Sequence, residues 1–372
     1  MRYFFFAERK SLTLFFSGGW FSAVSLPFFG GLFLFFLRSV LIPSLFYLSV
    51  VFPPPRRVQI ILARKLARFF WRSNLEPLAR DIVYKPRYSG GMNLPDLRFV
   101  LHLYFVVMHL HLFFFDKSRA GCFVRYNLGF VLRSLSMWSP SNVSPFAFTP
   151  PACYVFVKKF LLDRQMCSLD PIAWKSFKVV FSFVSSSFPV STLPSMAVER
   201  SRAAWSAMSH PRLLGLHRDL HWRAAHEVLP TRRALHRRSL TPSPACPREG
   251  CSAEEYAAHV FWDCPFATAV WRRSLPCLHH HLQEEQLTYR LVMHASGMGP
   301  WQPEQWRVIW CIVSSVKGAL WDARNILVLR REVLRPVAVW RMACKAVGDY
   351  YHQDIRRKGL QWATSVWLFD PP

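Results

Sequence analysis

The hydrophobic pattern between residues 57 and 72 is typical of an amphipathic helix. Arginines fall within a narrow arc at helical spacing, and apolar residues lie largely on the other side. The basic side carries Arg57, Arg64, Arg68 and Arg72, and the apolar side carries Val58, Leu62, Leu66, Phe69 and Phe70. Such a helix can lay its arginines on phosphates or anionic lipid, although a solvated surface helix has the same pattern.

Longer helices are predicted further along the chain. An apolar helix is expected at about Leu97–Phe115. Another begins near Pro303, a favourable first helical residue, and ends before Pro336, where a further helix runs on through Tyr350. One face of the helix at Pro303 carries Trp306, Ile309, Trp310, Val313, Val316 and Leu320, which we expect to be core residues.

Several stretches interrupt this helical pattern. The segment Tyr84–Gly91 predicts a turn, because paired glycines permit positive φ. Ser, Pro and Thr cluster in 134–151 and again in 185–194. These clusters are typical of linkers or exposed loops, here flanking a short aromatic strand or helix.

The amino-terminal stretch is apolar, with no charged residue in 11–37 or in 39–55. Hydropathy alone favours a signal peptide or one to two membrane spans. Helix-breaking residues argue for a Phe-rich buried segment instead. They are Gly18, Gly19, Pro27, Gly30, Gly31 and Pro43.

The net charge of the chain indicates which class of partner it could bind. The 47 Lys and Arg residues against 22 Asp and Glu give a formal net charge of +25. That excess favours a polyanion, with nucleic acid first and an anionic membrane surface second, while a basic solvated surface is the alternative. The 9 cysteines are an odd number without the dense spacing of a secreted scaffold, which favours a reducing compartment and metal binding where cysteines cluster.

One cluster has metal-ligand spacing: Cys246, Cys251, His259 and Cys264. Zinc prefers four such ligands in tetrahedral geometry, and the Pro247–Gly250 turn can bring the first two thiols together. We expect a structural Zn²⁺ that supplies much of the folding free energy of a unit with little core of its own. The alternatives are four incidental residues, or substitute ligands from Cys277 and His279–His281.

Basic residues lead into this cluster: Arg212, Arg218, Arg223, Arg232, Arg233, Arg237 and Arg238. Tyr256, Phe261 and Trp262 lie within it. Arginines beside a metal-held turn suit single-stranded nucleic acid. Their guanidinium groups would contact phosphates, and an aromatic ring could stack on a base. The rings could instead form a small core, which is the expected role of at least Phe261.

Two stretches, in the same order, resemble parts of one polyprotein. The first comprises 39–55, Phe69–Ser73, Arg80–Pro86 and Gly90–Leu97. It is similar to the thumb that follows the palm of LINE-type non-LTR retrotransposon reverse transcriptases, in which a helix with an aromatic–Trp pair precedes a basic turn, Gly-Gly and Pro-Asp-Leu. Lys85 and Arg87 lie in the turn.

The second stretch, Trp222–Thr231 leading to the Cys/His cluster and Trp271, resembles the zinc-binding domain near the carboxy terminus of those proteins. There a Leu-Pro-Thr helix and a basic arm precede a Cys-Cys-His-Cys knuckle, with a Glu shortly before the His. Glu255 holds that place here. The resemblance implies that the apolar run from Trp20 to Val51 is a modified thumb helix.

The chain departs from that family in its catalytic residues. The sequence contains no adjacent Asp pair of the kind that holds two divalent metals in the family's palm, and nothing resembles its nuclease. We therefore expect no enzymatic activity and a truncated or degenerate copy.

The predicted fold is mainly α. We expect an uncertain leader at 1–19, a thumb-like helical segment at 20–130, a flexible spacer at 131–195, a basic arm with a zinc knuckle at 196–275, and a helical tail at 276–372. The expected function is binding of RNA or an RNA/DNA hybrid in a cytoplasmic and nuclear ribonucleoprotein. A small membrane protein inserted through 11–52 and an inert translated fossil are the alternatives.

Overall fold

The computed structural model describes residues 42–71, 76–138, 149–186, 189–296 and 303–369. These residues divide into two compact units, the first within Leu32–Pro86 and Gly91–Pro189, the second within Arg87–Gly90 and Val190–Pro372. Over the described ranges the secondary structure is helical, without a β-strand, which confirms the mainly α prediction. The predicted leader and most of the uncharged amino-terminal stretch lie outside the described residues.

Seven helices build the described part of the first unit. They are α1 (Ile42–Val51), α2 (Arg56–Trp71), α3 (Arg80–Tyr84), α4 (Leu97–Phe115), α5 (Arg119–Ser134), α6 (Ala152–Asp163) and α7 (Phe177–Ser186). Two of these helices, α4 and α5, have an N-cap residue whose side chain accepts a backbone hydrogen bond. The Asp96 carboxylate accepts from the Arg98 N–H at α4, and the Ser118 hydroxyl accepts from the Gly121 N–H at α5.

The core of the first unit includes the segment that we expected to be a flexible spacer. Residues of α6, α7 and the 3₁₀ turn Pro171–Lys175 are buried with those of α4 and α5, and Val157, Leu161 and Trp174 are fully covered. Aromatic and β-branched residues at helical spacing outweigh the Ser/Pro-rich flanks here. Residues 149–186 are therefore a folded part of this unit.

Helix α2 has the basic side that the sequence predicts, but its buried side differs. Arg57, Arg64 and Arg68 are exposed, and Arg72 lies outside the described residues. Val58, on the predicted apolar side, is 44% exposed. The buried positions are Gln59, Ala63, Leu66 and Ala67.

Helix α4 has the bounds that its sequence predicts. In the described part of the chain it is the one helix long and apolar enough to cross a membrane, by length and composition only. However, 61% of its most apolar window is buried within the protein, as in the central helix of a folded domain. Apolar residues lie on several sides of α4 because α1, α2, α5 and α7 all contact it.

Eight helices build the described part of the second unit. They are α8 (Val198–Met208), α9 (Gly215–Ala225), α10 (Arg232–His236), α11 (Pro265–Leu278), α12 (Tyr289–His294), α13 (Pro303–Arg330), α14 (Pro336–Lys358) and α15 (Leu360–Trp367). Helices α13 and α14 confirm the two predicted helices at Pro303 and Pro336. Trp310, Val313 and Leu320 of α13 are buried, as expected of core residues.

Helix α13 is the centre of this unit and contacts α9, α11, α14 and α15. At Gly318, an added Cβ would lie 2.7 Å from Nε2 of the buried His217. The ring of His217 cannot easily yield, because the Tyr350 hydroxyl donates to its Nδ1 at 2.7 Å. The missing side chain of Gly318 therefore sets the close approach of α9 to α13.

A buried polar network also joins these helices. The Lys317 ammonium donates to the Val292 carbonyl at 2.9 Å and to Nδ1 of His221 at 3.1 Å. Nε2 of His221 in turn donates to the Ser314 hydroxyl at 2.8 Å. Burial lowers the pKa of Lys317 to about 7. Each of these buried polar groups has a partner, which offsets much of the cost of removing it from water.

Substitution of Gly318 tests the close helix contact. Gly318→Ala should lower the free energy of unfolding by about 1–3 kcal/mol, because the new methyl group overlaps His217. Gly348→Ala on α14 is the matched control, since an added Cβ meets nothing within 4 Å there. It should raise stability by up to about 1 kcal/mol through helix propensity. Urea unfolding followed by circular dichroism measures both, and equal effects would refute the contact.

Buried histidines predict acid sensitivity of the second unit. Burial, with a contribution from Lys317, lowers the pKa of His294 to about 4. Below the unfolded pKa of about 6.5 the unfolded chain binds the proton and the folded chain does not, so stability falls between about pH 6.5 and pH 4.

His294→Phe should flatten this fall by up to about 1.4 kcal/mol per pH unit, the contribution of one proton. Urea unfolding at several pH values and fixed zinc concentration compares the variant with the wild type. Protonation of the metal ligands in acid affects both proteins alike. The difference between their pH profiles of unfolding free energy therefore reports on His294. Parallel pH profiles would contradict the assignment.

Candidate metal centre

The four predicted ligands meet in space. The ligand atoms of Cys246, Cys251, His259 and Cys264 all lie within 4.8 Å of one another. The Cys251 Sγ is 3.4 Å from Nε2 of His259. In tetrahedral zinc sites, ligand bonds of about 2.0–2.3 Å place neighbouring ligand atoms roughly 3.5–3.8 Å apart. The cluster therefore needs only a small contraction to enclose one ion.

A short loop positions the first two cysteines. Ala245 and Glu254 form an isolated antiparallel bridge, and the Cys246 N–H donates to the Ala253 carbonyl at 2.8 Å. Gly250 turns the chain with φ +74°, a conformation that favours glycine, and the Cys251 N–H donates to the Arg248 carbonyl at 3.2 Å. The turn predicted between these cysteines is thus present.

A tight helical turn positions the second pair. His259–Asp263 is one turn of π-helix, and the Cys264 N–H donates to the His259 carbonyl at 2.9 Å. Cys264 is then the N-cap of α11, and Pro265 occupies the first turn of that helix, where its missing N–H costs nothing. The His-x₄-Cys spacing therefore spans one turn that ends at a helix start.

The thiols of Cys246 and Cys264 differ in acidity. The hydrogen bond from Cys246, together with the Phe266 and Ala267 N–H groups at the start of α11 and the nearby His259, lowers the pKa of Cys264 to about 5. The same hydrogen bond, with burial, raises the pKa of Cys246. A divalent ion would hold both as thiolates.

A buried carboxylate lies behind the ligand loop. Glu255 is 1% exposed and accepts from the Arg324 guanidinium of α13, at 2.9 Å from Nε and 2.7 Å from Nη2. It also accepts from the backbone N–H of Arg232 at 2.6 Å. The Glu255 carbonyl accepts from the Arg233 N–H at 3.1 Å. This residue, which the sequence places shortly before the histidine, joins the ligand loop to α10 and α13.

Aromatic residues of the site fall into two classes. Phe261 is fully buried, and its carbonyl accepts from Nε1 of Trp271 at 2.7 Å, which confirms its expected core role. Tyr256 is 36% exposed and donates to the Asp263 carboxylate at 2.8 Å. Arg248 stacks its guanidinium 3.4 Å from the centre of the Phe266 ring, beside the cysteines. Tyr256 is the ring most open to a ligand in this group.

The predicted nucleic-acid-binding residues are divided between the two units. Arg57, Arg64, Arg68 and Lys85 belong to the first unit, whereas Arg87 and the α10 arginines belong to the second. Burial lowers the pKa of the half-buried Lys85. Around α10, Arg232 is half-buried, while Arg233, Arg237 and Arg238 are exposed. Their role in binding stays a prediction.

Sequence reasoning missed the partner of Glu255. Lys317 and Arg324 continue the buried face of α13 at helical spacing from Trp310, Val313 and Leu320, so charged residues within an apolar face were the available signal. Two of the substitute ligands considered above have other partners. His281 Nε2 donates to the Trp367 carbonyl at 2.9 Å, and His280 stacks on Phe369.

Comparison with known families agrees with this geometry. Residues 188–271 match the family model described as zinc-binding in reverse transcriptase, and all four ligands fall within the match. No curated protein matches the chain. Residues 188–271 are thus similar to a zinc-binding domain of reverse transcriptases, and their Cys₃His cluster is suited to structural zinc.

Proposed function

We propose that this chain binds RNA, or an RNA/DNA template–primer, without catalysing a reaction. In this proposal it derives from the carboxy-terminal region of a LINE-type non-LTR retrotransposon reverse transcriptase, where it holds the transcript near the polymerase. Its place would be a cytoplasmic and nuclear ribonucleoprotein. The zinc-binding match at 188–271 supports a reverse-transcriptase origin.

The observation that carries the proposal is the position of three exposed arginines on and beside α10. The Thr231 hydroxyl caps this helix by accepting from the Ala234 N–H, and Glu255 accepts from the Arg232 N–H. Both bonds fix the helix against the ligand loop. Arg233, Arg237 and Arg238 are therefore presented from a fixed backbone, which reduces the entropy lost when they bind phosphates.

The neighbouring groups suit a single-stranded polyanion. The Arg233 guanidinium lies 5.9 Å from the Tyr256 ring centre and 3.5 Å from the Glu254 carboxylate, an exposed pair that water and salt weaken. A phosphate can displace that carboxylate, and the Tyr256 ring offers a face for a base. The net charge of +25 adds long-range attraction for any nucleic acid.

The thumb-like part of the proposal has support from sequence resemblance alone. Gly90–Leu97 and the basic turn before it resemble the LINE-type thumb. The sequence has no adjacent Asp pair to hold catalytic metals, which favours a binding role. Any polymerase or nuclease activity would then come from another chain.

Alanine substitution of the exposed arginines tests the proposal. Arg233→Ala with Arg237→Ala and Arg238→Ala should weaken binding of single-stranded RNA for all sequences alike. Loss of about three phosphate contacts should flatten the slope of log affinity against log salt by about 2. Fluorescence anisotropy of labelled oligonucleotides at several salt concentrations measures both quantities.

A matched variant controls for the loss of charge. Arg341→Ala with Arg356→Ala and Arg357→Ala removes three exposed arginines from α14 and should retain most of the affinity and the slope. If both variants lost the same affinity, the loss would follow from the lower net charge, and a specific role for α10 would be contradicted. Unchanged binding in the α10 variant would also contradict it.

A further inference from the structure

A row of exposed aromatic side chains runs along one side of α5 in the first unit. Phe123 is 65% exposed, Tyr126 is 72% exposed and Phe130 is 45% exposed. Their spacing of three and four residues places them on one side of the helix. We refer to these three residues as the aromatic face. Large rings at such exposure are costly in water unless a ligand or partner covers them.

The aromatic face lies on a fixed support. The opposite side of α5 is buried, with Val124, Leu128 and Leu132 in the core of the first unit. The Ser118 cap holds the start of the helix, and the Arg125 guanidinium donates to the carbonyls of Phe113 and Asp116 at the end of α4. The rings therefore project from a helix that cannot turn them inward.

The helix that bears the aromatic face is positively charged. The 16 residues of α5 include three arginines and no Asp or Glu. Arg119 is exposed at the start of the helix and Arg133 is half-buried near its end, so cations stand at both ends of the row. The acid nearest to α5 in sequence, Asp116, accepts from the Ser118 N–H and hydroxyl. This surface attracts an anion that also has flat apolar groups.

We propose that the aromatic face stacks the bases of a single-stranded nucleic acid, while Arg119 and Arg133 contact flanking phosphates. Helical rise spaces the rings by roughly 4.5 Å and 6 Å along the axis, which suits successive unpaired bases. A second copy of this chain packed on the same face would bring the arginines of the two copies together, and their positive charges would repel. The proposal deepens the proposed function, on which it rests, and gives the first unit a binding surface of its own.

Leucine substitution separates stacking from general apolar contact. Phe123→Leu with Tyr126→Leu and Phe130→Leu keeps an apolar surface of similar size but removes the flat rings. In the full chain it should weaken binding of a single-stranded RNA of about ten nucleotides by about tenfold or more. The salt slope should stay unchanged, because no phosphate contact is lost. A 2-aminopurine base in that RNA should be quenched by the wild type and much less by the variant.

The control variant alters exposed apolar residues of α6. Val155→Ala with Leu162→Ala, at positions 49% and 52% exposed, should leave affinity and quenching unchanged. Circular dichroism and urea unfolding show whether the leucine variant is folded. If it is not, Tyr126→Leu alone, at the most exposed ring, should still reduce quenching.

Four outcomes would overturn the inference. If the wild type binds RNA and the leucine variant binds equally, the aromatic face has no role although the proposed function stands. If the wild type does not bind at all, both fail. If the leucine variant loses self-association in sedimentation but keeps RNA affinity, a second copy covers the face. Loss of binding to phosphatidylserine vesicles alone would assign it to a membrane.

Discussion

The buried carboxylate of Glu255 fixes the arrangement of the second unit around the metal site. It accepts a pair of hydrogen bonds from Arg324 on α13 and another from the backbone of Arg232 at the start of α10. Removal of Arg324 or of Glu255 would leave the other as an unpaired buried charge, at a cost of several kcal/mol. The ligand loop, α10 and α13 are therefore stabilised as one body, and the metal site depends on a residue far from its ligands in sequence.

This dependence changes the expected energetics of the knuckle. The sequence suggested a small element with little core, folded largely by zinc. Instead, Phe261 and Trp271 are buried, Lys317 of α13 lies 5.1 Å from the Phe261 ring centre, and the Trp310 indole donates to the Ala207 carbonyl at 3.1 Å. The matched span 188–271 thus has a core that α13 helps to form. Zinc would organise the ligand loop, whereas helix packing stabilises the unit as a whole.

Local patterns predicted much of this structure, and contacts distant in sequence account for most of what they missed. The bounds of α4, the starts of α13 and α14, and the meeting of Cys246, Cys251, His259 and Cys264 follow from helical spacing, proline positions and ligand spacing. Arg324 lies 69 residues from Glu255, so no local pattern pairs them. The packing of 149–186 was missed because Ser/Pro-rich flanks surround its apolar residues. The exposure of Val58 on the apolar side of α2 depends on neighbouring helices, which no local pattern gives.

The arrangement of the ligand loop depends most directly on zinc in the Cys₃His site of the full chain. Metal analysis of the purified protein, combined with X-ray absorption at the zinc edge, tests this. The account predicts one zinc per chain, with three sulfur neighbours at about 2.3 Å and one nitrogen at about 2.0–2.1 Å. A protein that is folded and zinc-free after purification with zinc, or a zinc shell of oxygen and nitrogen without sulfur, would contradict it.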